Sequence, residues 1–97
     1  MEYLLHWVVD ESSLSEDPEE RMKRMMSDLE SVKKNIGDGS LKKWGMSPGG
    51  GHGYAIFEGD GKQMFAICSQ YMPHVQFEVQ PMISVDEVID TAKAMRP

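Results

Sequence analysis

The sequence is poor in the groups that carry covalent or metal chemistry. Cys68 is its only cysteine, which excludes an intramolecular disulfide and a thiolate metal cluster. Its histidines are His6, His52 and His74, and no pair has the spacing that lets one helix face hold an ion. No metal and no cofactor is therefore predicted. A Ser-His-Asp hydrolase is not indicated: Ser12, Ser13, Ser15 and Ser47 sit in polar stretches without the surroundings of a nucleophile. No apolar run approaches the roughly 20 residues of a membrane span, and the start lacks a basic segment with a cleavage signal. A cytoplasmic location without a membrane partner is the expectation. Positive charge is scarce: 10 Lys and Arg face 16 Asp and Glu, a formal net charge of -6. A phosphate backbone needs clustered Lys and Arg, and the densest cluster, Arg21-Met22-Lys23-Arg24, lies among acids. Nucleic acid is not a predicted partner.

What is present is enough for one core. Ninety-seven residues, 40% of them hydrophobic, form one domain over residues 1–97 that buries about two thirds of its unfolded surface. The chain is organised around residues 2–10. Side chains alternate across a strand, so Tyr3, Leu5, Trp7 and Val9 share one face and Leu4, His6 and Val8 the other. Neither face is polar apart from His6, which marks a central strand covered on both sides. Helices of the chain can supply one cover. Another source must supply the second.

The remaining elements follow in order. Asp17-Pro18-Glu19-Glu20 starts a helix, with Asp17 as cap, Pro18 at the first helical position and Glu20 closing a capping box. Met22, Met25, Met26, Leu29, Val32 and Ile36 form one apolar stripe at a 3.6-residue period, and Gly37 suits the left-handed position after the last turn. Leu41 to Met46 reads as a short edge strand guarded by Lys42 and Lys43. The glycine-rich run at residues 47–53 lacks the Gly-Lys-Ser/Thr ending of a phosphate loop and precedes a strand, residues 54–58, so it joins a hairpin. Asp60 and Gln63 cap a second helix whose apolar side is Met64, Phe65, Cys68, Tyr71 and Met72, ended by Pro73. Cys68 on that stripe is a small core residue rather than a nucleophile. Residues 75–81 alternate apolar and polar, the clearest strand pattern in the chain. Ser84 and Glu87 cap a last helix striped by Val85, Val88, Ile89, Ala92 and Met95.

The order strand, helix, strand, strand, helix, strand, with right-handed crossovers, gives an α+β fold of the split βαβ, ferredoxin-like type. Its four-stranded antiparallel sheet has the order 4-1-3-2, helices on one face and an extra C-terminal helix. Strand 1 is then central, as its two apolar faces demand. Aligning residues 2–10 with residues 74–82 sets His6 opposite Glu78 on the open face, where directly opposed side chains can interact. A carboxylate beside an imidazole raises its pKa and orients it, the elements of an acid–base pair. An ordinary surface or interface pairing is the competing interpretation.

A family resemblance rests on Glu2-Tyr3-Leu4-Leu5-His6-Trp7, Leu41-Lys42-Lys43-Trp44, Phe57-Glu58-Gly59-Asp60 and Phe77-Glu78-Val79-Gln80-Pro81-Met82. In this order they resemble a small uncharacterised prokaryotic family that looks like a branch of the dimeric α+β barrel superfamily. The resemblance spans nearly the whole chain. It implies a ferredoxin-like protomer whose open sheet packs on a second copy, which would supply the missing cover for strand 1. The last helix is the other candidate for that cover, and would leave a monomer. Catalytic residues differ between branches of the superfamily, and fold alone transfers no function. Two classes of function stay open: a homodimer binding a small organic molecule in a pocket on the open face, lined by His6, Trp44, Tyr54 and Glu78, or an interaction or regulatory module. A cofactor-independent monooxygenase- or isomerase-like enzyme is the catalytic form of the first.

Overall fold

The computed structural model describes residues 1–96. Its elements are β1 (Glu2–Val9), a single 3₁₀ turn (Glu11–Ser13), α1 (Pro18–Gly37), β2 (Leu41–Met46), β3 (His52–Glu58), α2 (Gly61–Ser69), β4 (Val75–Met82) and α3 (Val85–Ala94). The fold is α+β, with one antiparallel sheet in the order β2-β3-β1-β4, which is 4-1-3-2 from the β4 edge. β1 is thus hydrogen-bonded on both edges, and its pairing with β4 runs from Glu2 opposite Met82 to Val9 opposite Val75. His6 faces Glu78 across β4 and Tyr54 across β3.

The odd positions of β1 face the helices. Leu5 and Trp7 are buried there with Ala55 and Phe57 of β3, Leu41 of β2 and Val75 of β4. Val32 of α1, Cys68 of α2 and Tyr71 close the core from above. Each large side chain removed from water adds about 1.5–3 kcal/mol. Among the described residues Asn35 is the one polar residue buried as a whole; its amide donates to the Tyr71 hydroxyl at 2.9 Å and to Gln70 Oε1 at 3.4 Å. Buried polar groups persist where they are partnered in this way.

Several local expectations are corrected. The Asp17 carboxylate accepts from the Glu19 amide at 3.0 Å, but Glu20 does not close the box. Glu20 accepts instead from Ser15 Oγ, which itself takes the Asp17 N–H. Gly37 remains helical, and the left-handed residue is Gly39 at φ 84°. Asp38 moves the stop outward because its carboxylate binds the Ser40 amide and hydroxyl. Of the α1 stripe, Val32 is buried, while Met22, Met25, Met26 and Ile36 are each about half exposed. The helix packs over β2, and its first turns, residues 18–27, are exposed. Phe65 points to solvent because the buried side of α2 is Met64, Ile67, Cys68 and then Tyr71, a turn away from it. α2 and α3 do carry the reciprocal caps, Asp60 with Gln63 and Ser84 with Glu87.

The open sheet face is covered by no element among the described residues. α3 does not lie on it: every residue from Glu78 to Arg96 is exposed. The molecule is accordingly elongated, 63 × 24 × 24 Å with a radius of gyration of 16.4 Å, against about 13 Å for a compact chain of this length. Among the described residues no helix is long and apolar enough to cross a membrane.

Candidate functional site

The four residues singled out by sequence divide between the two faces of the sheet. His6, Tyr54 and Glu78 occupy adjacent strands in one row of the open face, since His6 is the register partner of both others. His6 and Glu78 are both exposed, and among the described residues no ion pair joins them. They border a shallow open depression with Val8, His52 and Gln76. The Tyr54 ring lies over Gly45 of β2, where a Cβ would overlap it. At the end of this face a bulge in β2 turns Lys42 onto it. Lys42 Nζ lies 2.6 Å from Glu58 Oε2 and 4.0 Å from Glu2 Oε2. The hydrogen bond from Lys42 holds the Glu58 carboxyl below its ordinary pKa, and the same bond holds the Lys42 ammonium above its own.

Trp44 is on the other face, which corrects the grouping. It pairs in register with Ala55, a core position, and stacks on Trp7 with ring centroids 5.3 Å apart and planes 10° from parallel. The missed signal was parity. The bulge between Leu41 and Lys43 shifts β2 by one residue, and a one-residue shift sends a side chain to the opposite face. Trp7 is fixed in turn by its indole N–H, which donates to the Tyr54 carbonyl at 3.2 Å. Gly53 provides the room: a Cβ there would stand 2.7 Å from Trp7 Cζ2.

The two indoles wall a cavity of about 130 Å³ between the sheet and α1. Leu5, Val32, Leu41 and Phe77 contribute to its floor and sides, and Met25 and Leu29 close it from the helix. Its few polar neighbours are already engaged. Tyr71 accepts from Asn35, and Asp28 pairs with Arg24 at 3.4 Å one turn away on α1. Burial raises the Tyr71 pKa. Sequence periodicity placed Met25, Leu29 and Val32 on one apolar stripe but could not show that the space beneath it is left unfilled.

The remaining reactive groups lie elsewhere. Cys68 is 4% exposed, and burial pushes its thiol up to about 11, so the nucleophilic thiolate is disfavoured. His74 Nε2 is buried without a hydrogen-bond partner. Among the described residues no three His, Cys, Asp or Glu side chains stand together as a metal set.

The fold is that of a small α+β protein with a single antiparallel sheet, here with an apolar cavity on its helix side. The chain belongs to the family described as a domain of unknown function (DUF3303), which matches residues 1–96. No protein of curated function matches it.

Proposed function

We propose that the protein binds a small apolar molecule, of the size of one aromatic ring, in the chamber between α1 and the sheet. The observation that carries this is the chamber itself, about 130 Å³ beneath the Trp7–Trp44 stack. An apolar cavity of about 150 Å³ stays dry and accepts benzene. The half-exposed methionines of α1, Met25 among them, give the chamber an adaptable roof. The open-face row of His6, Tyr54 and Glu78 is a weaker candidate, because its depression is shallow and lacks an apolar enclosure.

The same reading takes the protomer as ferredoxin-like and its open face as the surface for a second copy. Leu4, Val8, Tyr54 and Ile56 lie there without cover, Val8 being 47% exposed, and the resemblance to dimeric α+β barrels supports the pairing.

Trp7 and Trp44 are the only tryptophans, and both line this chamber, so their fluorescence reports on it. Toluene titrated into the full chain is expected to change the emission saturably. Phenol is expected to bind at least about fivefold more weakly, since burying an unpaired hydroxyl costs about 1–3 kcal/mol. Leu29→Phe, which fills the chamber from the helix side, should abolish the toluene response. An emission that does not saturate, or a Leu29→Phe variant that binds toluene as well, would overturn the proposal.

A further inference from the structure

The C-terminal helix is a folded amphipathic element with nothing to fold against. Its start is closed by a reciprocal cap, Ser84 to the Glu87 amide at 3.1 Å and Glu87 to the Ser84 amide at 3.1 Å. Its stripe is nonetheless in water: Val85 is 71% exposed and Met95 78%, with Val88 and Ile89 nearly half exposed. A ten-residue helix is marginal by itself, and most helical stability comes from packing an apolar face. Among the described residues the stripe meets no surface of its own chain.

We propose that α3 is an arm exchanged between two copies of the chain, lying along the β2 edge of its partner's sheet. The inference rests on the pairing of open faces proposed above and goes beyond it.

Three observations support this placement. The first is area. Four strands about 4.8 Å apart and about 3.3 Å per residue give the open face a footprint of roughly 400 Å², half of the roughly 800 Å² per partner of a standard interface. A helix of this length covers roughly 150 Å², and exchange lets each protomer use one arm and receive one, bringing the total near the standard size. The second is geometry. A two-fold axis parallel to the strands, between facing sheets, sets the β4 edge of one copy over the β2 edge of the other. α3 leaves the sheet beyond Met82, which pairs with Glu2 at the end where β3 finishes at Glu58 and β2 begins. The arm thus reaches the start of the partner's β2, and a reversal of the chain at residues 83–84 lays it back along that edge. The third is charge. α3 carries Asp86, Glu87 and Asp90 against a single Lys93 in its last turn, and the β2 edge presents the exposed Lys43 next to the apolar Ile56, Lys42 beside it being held by Glu58.

The test is light scattering of the full chain across concentration, with the double variant Val88→Asp/Ile89→Asp and with Lys43→Glu. Both stripe positions are exposed in the protomer, so the double variant keeps the fold, which backbone NMR verifies. A mass near twice 11.0 kDa is expected for the unmodified chain, with a dissociation constant at least about tenfold higher in the double variant, as for loss of central apolar anchors. Lys43→Glu should raise it less. Amide exchange along α3 should slow as concentration rises. A monomer at every concentration would overturn both the pairing of faces and the arm. A dimer whose affinity and α3 exchange ignore the double variant would overturn the arm alone and leave the pairing intact.

Discussion

Gly53 shows how much of the chamber depends on one missing side chain. Its absent Cβ would meet the Gly45 carbonyl oxygen and the Trp7 indole together. One of these is backbone and cannot rotate away. Gly53→Ala is expected to destabilise the fold by about 2–3 kcal/mol through overpacking, seen as a lower denaturant midpoint at unchanged slope. Gly45→Ala meets only the Tyr54 ring on the open face, which can turn toward solvent, and should cost less than about 1 kcal/mol. Cys68 gives a second residue-level expectation. Its folded pKa of about 11 lies above the ordinary value of 9.0, so above pH 9 the unfolded chain loses this proton first. The folded state then binds more protons, and stability falls as pH rises from about 9 to about 11. Urea unfolding over that range should show a shallower alkaline decline in Cys68→Ala. Part of the slope should remain, because Tyr71 is shifted in the same direction.

Caps and strands were the most legible elements, because their signals are local. The strand at Val75–Met82 and the box at Asp60 and Gln63 involve neighbours in sequence, and both reappear in the fold, although the buried side of the strand stops at Phe77 and Val79 is exposed. The His6–Glu78 pairing matches the register assumed by aligning residues 2–10 with residues 74–82, but the pattern alone did not select it, because a slip of two residues keeps every side chain on the same face. What stayed hidden was set at a distance. The stripe of α1 gave the helix but not how much of it reaches the sheet, and the bulge at Lys42 reversed the side on which Trp44 stands. The two reciprocal caps offer a test that depends on what each helix touches. Asp60→Ala should lower global stability by about 1 kcal/mol, because α2 delivers Cys68 to the core. Ser84→Ala should leave global unfolding of dilute protein within about 0.5 kcal/mol of the parent and act only on α3, which native-state hydrogen exchange resolves element by element.

For the molecule as a whole, composition and pattern reach the α+β class and the strand order. They do not reach its shape. Val85, Val88 and Ile89 predicted a helix with a buried side, and that side is exposed in the protomer. Small-angle scattering on dilute protein is the direct check. A protomer with α3 extended should give a radius of gyration near 16.4 Å, whereas an arm folded onto its own sheet would bring it toward about 13 Å.

The position of β1 has a consequence for how the protein is made. It is the strand at the centre of the sheet, yet it emerges before both of its neighbours, β3 and β4. During translation the most apolar stretch of the chain must wait, with both edges unpaired, while more than half of the sequence is still being added. A holding chaperone that favours extended apolar segments would find its best target in Leu4, Leu5, Trp7 and Val8, and would have to let go before the sheet could close.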